Sequence, residues 1–268
     1  MRDGRVEVRC YGDLADLAGA RVVEVPVGEP RSVKDLVESV GVPHPEVGLW
    51  VVDGTPVGDD HRLAGGERVA VYPPFTVLDV RDLPGARPVP ADPRFLLDVH
   101  LGALARRLRL LGFDARWQRE ATDAWLAGAA VADARVLLTR DRELLMRREV
   151  RWGYCPRADD PDAQAEEVVM RFDLADRLAP FTRCPRCNGR LHRVDKAEVA
   201  ARLPPRTRAA FEEFARCDAC GQVYWKGAHH ARLEGFLARV GAREGRQRRG
   251  RAPGGRWPAG ADPDAGAG

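Results

Sequence analysis

Residues 94–117 read RFLLDVHLGALARRLRLLGFDARW. The apolar triplet Phe95-Leu96-Leu97 stops at Asp98, after which Leu101, Leu104, Ala105, Leu108 and Leu111 recur at helical spacing until Gly112 closes the run. Phe113 to Trp117 then returns to an extended pattern. Strand, helix and strand in close succession predict a βαβ unit with parallel strands and a right-handed crossover. The alternation continues downstream. Thr122 caps a helix running to about Ala132, and Val136-Leu137-Leu138-Thr139 forms a third strand that ends at Arg140-Asp141. A helix over Arg142 to Arg148, a strand near Arg151 to Cys155 and a helix from Pro161 to about Leu178 complete an α/β sheet unit over 94–180.

In open α/β sheets, ligands gather beyond the carboxyl ends of the strands. Asp98 ends the first strand, Asp141 follows the third, and Asp123 opens the helix after the second. Three acids from separate segments are therefore expected on one rim. Two carboxylates about 4 Å apart repel by about 4 kcal/mol at an effective dielectric of about 20, a cost that a divalent cation removes. Hard oxygen ligands on an open rim suit Mg2+ or Mn2+, which can take up phosphate oxygens and activate a water. The plainer alternative makes Asp123 a first-turn residue favoured by the helix dipole and Asp141 a helix cap.

Upstream, residues 1–78 carry a different pattern. Val6, Val8 and Cys10 alternate, as do Val23, Val25 and Val27. Ser32 caps a short helix that Gly41 ends, Leu49–Val52 and Thr55–Val57 flank an Asp53-Gly54 turn, and Glu67 to Tyr72 forms a last strand. The order ββαβββ resembles a ubiquitin-like β-grasp. Residues 79–93 hold too many prolines for helix or sheet and read as a linker.

Downstream, Cys184-Pro185-Arg186-Cys187 and Cys217-Asp218-Ala219-Cys220 are two CxxC knuckles with 29 residues between them. Each knuckle sets two thiolates on one tight turn, and two of them make a tetrahedral cage matched to structural zinc. A redox pair is the competing use of CxxC, and His229 or His230 is the alternative fourth ligand. The module is expected over 181–240, followed by a basic, low-complexity tail at 241–268.

Composition sets the outer limits. The chain has 268 residues, 43 Lys+Arg against 40 Asp+Glu and a net charge of +3, so bulk charge does not announce a nucleic-acid binder. Lys34, Lys196 and Lys226 are the only lysines, so arginine clusters partly reflect a compositional bias. No long apolar run or signal-like start is seen, and with four cysteines assigned to metal a reducing, cytoplasmic setting is expected. Candidate contacts to nucleic-acid backbone phosphates are Arg106, Arg109 and Arg140, with Arg107 beside them, although solvated helix faces carry the same residues. Tyr224, Trp225 and Lys226 combine stacking faces with a cation, or else pack the zinc module against the sheet.

The ordered motifs Phe95-Leu96-Leu97-Asp98-Val99, Leu108-Arg109-Leu110-Leu111-Gly112-Phe113-Asp114, Leu137-Leu138-Thr139-Arg140-Asp141, Arg183-Cys184-Pro185-Arg186-Cys187-Asn188-Gly189 and Tyr224-Trp225-Lys226-Gly227 resemble the Mut-seven C-terminal RNase family. That resemblance implies a PIN-like nuclease fold with a zinc ribbon. It places catalytic acids at Asp98, Asp123 and Asp141, with Mg2+ or Mn2+ and an RNA substrate. Gln118-Arg119-Glu120 and Trp125 depart from the family pattern. The segments Gly41 to Gly48 and Val69 to Phe75 look like the ubiquitin-like domain that precedes it in bacterial two-domain proteins. Related sulfur carriers act through a terminal Gly-Gly. Here Pro73-Pro74-Phe75 and a continuing chain stand in that place, so a docking role with a protein partner is expected instead. A noncatalytic RNA-binding adaptor is the competing function, and a receiver-like phosphotransfer domain a more distant one.

Overall fold

A computed structural model describes residues 4–225 and residue 235. The first unit runs β1 (Arg5–Cys10), α1 (Leu14–Ala18), β2 (Val22–Pro26), β3 (Arg31–Ser32), α2 (Val33–Ser39), a 3₁₀ turn His44–Glu46, β4 (Leu49–Val52), β5 (Thr55–Val57), β6 (Arg62–Leu63) and β7 (Arg68–Tyr72). The main sheet has the order β2-β1-β7-β4-β5, with β1 and β7 parallel and the other pairs antiparallel. This is the ubiquitin-like β-grasp. Ser32 Oγ accepts from the Asp35 amide at 3.0 Å to start α2, which buries Val33, Leu36 and Val37. Asp53 and Gly54 both have positive φ (48° and 84°), as a two-residue primed hairpin turn requires. The second strand lies at Val22–Pro26, one residue earlier than the valine alternation suggests.

Residues 79–93 carry no helix or strand, as their prolines demand, yet they are strapped down. Val80 is buried, the Arg87 amide donates to Gly48 O at 2.8 Å, and the Arg87 side chain donates to His44 O at 3.1 Å and pairs with Asp59.

The second unit runs β8 (Phe95–Leu97), α3 (Gly102–Leu110), β9 (Ala115–Trp117), α4 (Asp123–Ala132), β10 (Val136–Leu138), α5 (Arg142–Leu145), β11 (Gly153–Tyr154) and α6 (Pro161–Arg171). Its sheet is fully parallel, in the order β11-β10-β8-β9. Strands covered on both faces need apolar residues at every position, which explains the triplets at β8 and β10. Phe95, Leu97, Val136 and Leu138 pack with α3 and α6, whereas Leu96 and Leu137 pack with α4 and α5. Two helices are shorter than the sequence suggests. α5 stops at Leu145, and α6 stops at Arg171, just before Asp173 takes a positive φ of 52°.

The face carrying α4 and α5 does not end in solvent. Leu96, Leu126, Ala127, Ala130, Leu137, Leu144 and Leu145 share one core with Val6, Leu14, Leu36, Trp50 and Val71 of the β-grasp. Beyond the sheet, β12 (Leu191–Val194), α7 (Lys196–Val199), α8 (Pro205–Ala210), β13 (Phe214–Cys217) and β14 (Val223–Trp225) form a three-stranded antiparallel ribbon. Among the described residues its own buried core is Val199, Leu203, Phe214 and Val223. Among the described residues no helix is long and apolar enough to cross a membrane. Lys226, His229, His230 and the tail at 241–268 lie outside the described residues.

Candidate active site and zinc centre

The chain leaves β8 towards β9 on one side, and β10 returns to the other side of β8. The topological switch point therefore lies between β8 and β10, where open α/β sheets form their ligand crevice. Register then fixes which residues meet there. Leu97 pairs with Leu138, so Asp98 and Thr139 are neighbours at the carboxyl edge. The Asp98 amide donates to Leu138 O at 3.0 Å, and Thr139 Oγ1 donates to Asp98 Oδ2 at 2.7 Å. Thr139 is fully buried and Asp98 is 8% exposed. The same hydroxyl accepts from the Asp141 amide at 3.0 Å, so one threonine ties both acids together. Asp141 Oδ1 caps α5, accepting from the amides of Glu143 (2.8 Å) and Leu144 (3.2 Å).

Asp123 lies at the same edge, exposed on the first turn of α4, whose cap is the Thr122 hydroxyl accepting from the Trp125 amide at 3.3 Å. The three carboxylates do not close on one point. Among the described residues, only the four cysteines gather three or more candidate ligand atoms within 4.8 Å of one another. Oxygens on a single Mg2+ lie within about 4.2 Å, twice the metal–oxygen distance of about 2.1 Å. Shared direct ligation of one ion by Asp98, Asp123 and Asp141 therefore does not fit this arrangement. A hard cation held through Asp98 and Asp141, with waters completing its shell, suits the donor chemistry.

The expected RNA contacts divide. Arg106 is exposed on α3, and Arg107 pairs with Asp162. Arg140 is exposed and pairs with Asp159 at 2.6 Å, which raises its pKa further. Arg109 is not free to grip a phosphate. It is buried, with Nε donating to Ala115 O at 2.8 Å and Nη1 to the carbonyls of Pro185 and Arg186, both at 3.1 Å. It fastens the first zinc knuckle to the sheet. Tyr224 is half-buried with its hydroxyl 3.0 Å from Cys184 Sγ, so it packs the knuckle, whereas Trp225 stays partly exposed beside Phe211. Thr139 was missed by sequence reasoning. Its only signal is a hydroxyl ending an apolar triplet, meaningful once β10 is known to lie against β8.

At the ribbon, Cys184 and Cys220 sulfurs are 3.7 Å apart and those of Cys187 and Cys217 3.4 Å. A ZnS4 tetrahedron with bonds of about 2.3 Å has edges of about 3.8 Å, so the four sulfurs fit a zinc ion. Both knuckles are built alike. The residue after the second cysteine, Asn188 or Gly221, has positive φ (71° and 68°), and its amide returns to Cys184 O or Cys217 O at 2.9 and 3.0 Å. Burial raises the Cys184 thiol, but hydrogen bonds from Tyr224 and the backbone bring it down to about 7, while burial pushes Cys187 up to about 12.

Comparison with known proteins agrees with this architecture. The family model described as Mut7-C RNAse domain matches residues 93–237, and the model described as Mut7-C ubiquitin matches residues 5–79. No curated protein matches the chain. Among solved structures, small archaeal modifier protein 1 of Haloferax volcanii is similar at 24% identity over 27% of this chain and 99% of its own, with a TM-score of 0.24. A putative molybdopterin converting factor, subunit 1, from Pyrococcus furiosus is similar at 25% identity over 26% of this chain and 98% of its own, with a TM-score of 0.23. The RNAse model spans more than half of the 268 residues, and the chain belongs to the Mut7-C RNAse domain family, with a Mut7-C ubiquitin domain before it.

Proposed function

We propose that the protein is a Mg2+- or Mn2+-dependent ribonuclease whose reactive centre is the crevice between the ends of β8 and β10. The observation that carries this reading is the buried Asp98 carboxylate at the switch point, linked through Thr139 to Asp141. A buried carboxylate needs compensation, and the threonine hydroxyl supplies one bond to Oδ2. That bond also fixes the direction of the carboxylate. Asp141 is held in turn by two amides of α5, so both acids are set on rigid elements before a substrate arrives. A divalent ion held by Asp98 and Asp141 would supply charge stabilisation at the scissile phosphate and a more acidic water. Asp123, exposed on the first turn of α4, serves as an outer carboxylate that positions water rather than as a third direct ligand. Arg106 and Arg140 are the residues that would steer the RNA backbone, with Lys226 beyond the ribbon's last described strand. Trp225 offers a face for a base on the ribbon. Zinc on Cys184, Cys187, Cys217 and Cys220 would be structural, since four protein ligands leave no open position.

The test is incubation of the pure protein with labelled single- and double-stranded RNA and DNA, in Mn2+, Mg2+ or chelator. RNA cleavage that requires the added ion is expected. Binding that persists in chelator, with no cleavage under any condition, would instead make the protein an RNA-binding adaptor.

A further inference from the structure

We infer that the cavity where the zinc ribbon meets the amino edge of the parallel sheet is a phosphate-binding pocket. It lies at the opposite end of the strands from Asp98, encloses about 160 Å³, and is lined by Arg94, Arg177, Arg183 and Arg190, with Asp92 and Asp114 the acids among the described lining residues. At about 30 Å³ per water, that volume holds a phosphate group with a few waters.

The charges lining the cavity do not cancel. Asp114 is already saturated: Arg135 Nη1 and Asn188 Nδ2 each donate to its Oδ1 at 2.8 Å, and Arg183 Nη2 stands 3.3 Å from Oδ2. Arg94 is anchored on a backbone carbonyl, Asp133 O, at 2.5 Å, and Arg177 on Ala91 O. Carbonyls hold a guanidinium in place without neutralising it. Arg183 and Arg190 face each other across an isolated antiparallel bridge, and like charges directly opposite are destabilising. An anion between them reverses that sign. Arg183 also donates through Nη1 to Asn188 O at 3.0 Å, so Arg94, Arg177 and Arg190 carry the charge left for a ligand. Planar guanidinium forks recognise tetrahedral phosphate oxygens two at a time, which a lone lysine does not.

The inference goes beyond the ribonuclease reading and stands without it, because the ligand is a phosphate group whatever the fate of the strand. Its sources are a backbone or terminal phosphate of RNA, or free phosphate. The experiment compares the full chain, zinc retained, with an R177A/R190A variant; both residues are exposed, so the fold is expected to melt at the wild-type temperature. Binding of a labelled single-stranded RNA is followed by anisotropy without added Mg2+ or Mn2+, between low and moderate salt. The variant is expected to bind about tenfold more weakly, and its plot of log affinity against log salt to flatten by roughly 1.4, two contacts at about 0.7 each. An equal loss for 5′-hydroxyl and 5′-phosphorylated RNA assigns a backbone phosphate, and a loss confined to the phosphorylated strand assigns the terminus. Calorimetry with inorganic phosphate separates the two readings. Phosphate heat in the wild type that vanishes in the variant upholds the pocket even if RNA fails to bind. An unchanged salt slope together with no variant-sensitive phosphate binding overturns it.

Discussion

The guanidinium of Arg109 sits on three backbone carbonyls, two of them from the zinc knuckle, and a cation so buried would be costly without them. Helical periodicity put Arg109 near the polar side of α3, but only the docked ribbon turns that residue inward. The strand-end placement of Asp98 and Asp141 was legible, Asp98 directly after its apolar triplet and Asp141 three residues after the other. Thr139 was not, since its meaning depends on a strand pairing that skips β9. Asp114 is legible only in three dimensions too. Burial raises its carboxyl, yet Arg135 and Asn188, with Arg183 nearby, hold it below the usual range. A depressed carboxylate adds stability above its unfolded pKa of about 3.9, and that increment is lost as pH falls through the lower folded value. Asp114→Asn is therefore expected to cost about 1–3 kcal/mol near neutral pH and progressively less below about pH 4. Thermal melts of both proteins across acid pH check this; a penalty as large in strong acid as at neutrality would contradict it.

At the scale of elements, periodic helices and apolar strand triplets were readable, whereas the shortest elements without either signal were not. The helical spacing of α3 and the capped start of α4 lie where the sequence places them. α1 has five residues, and β3 and β6 have two each, too few to show a period. The ribbon shows why its knuckles dominate the sequence: a core of Val199, Leu203, Phe214 and Val223 is too small to hold three strands unaided. Metal affinity of about 10–16 kcal/mol for structural zinc sites would supply the difference. Zinc removal is thus expected to melt the ribbon while both sheets persist. Thiol titration reads this directly, with Cys184, Cys187, Cys217 and Cys220 becoming reactive as zinc is withdrawn, and Cys10 and Cys155 staying buried. Because ligation needs thiolates, zinc is expected to be lost more readily in acid. Thiols equally protected with and without chelator would refute the assignment.

Across the whole molecule, the β-grasp is a built-in part of the α/β unit rather than a tethered module. The sequence made its main strands and central helix readable along the chain, but nothing in a single chain's pattern says that its core continues into α4, α5, Leu96 and Leu137. The seam is polar at one point. Glu46, fully buried on the 3₁₀ turn, accepts from the Cys155 amide at 2.8 Å and from Arg157 Nη1 and Nη2 at 3.1 and 2.8 Å. Nearby, Arg171 donates to Glu46 O at 2.9 Å, and His44 Nε2 lies 2.9 Å from Val150 O. Burial works against the Arg157 cation, but Glu46 outweighs it and raises its pKa. Arg142, next to Asp141, donates to Leu17 O at 3.0 Å, so the β-grasp also braces the helix that Asp141 caps. Glu46→Ala leaves Asp13, at 3.8 Å from Arg157 and 3.5 Å from Arg171, as the acid beside the two cations, and is expected to cost about 3 kcal/mol, the low end for breaking a buried pair. Urea unfolding should show one transition at lower denaturant, since the core is shared. Two separate transitions would show instead that the halves fold independently.

The most direct measurement is RNA cleavage in Mn2+ by purified Asp98→Asn, beside its melting temperature. The account predicts that cleavage is abolished while the melting temperature stays within a few degrees of wild type, because Thr139 can still donate to the amide oxygen. Full cleavage by that variant would contradict a reactive centre at the end of β8.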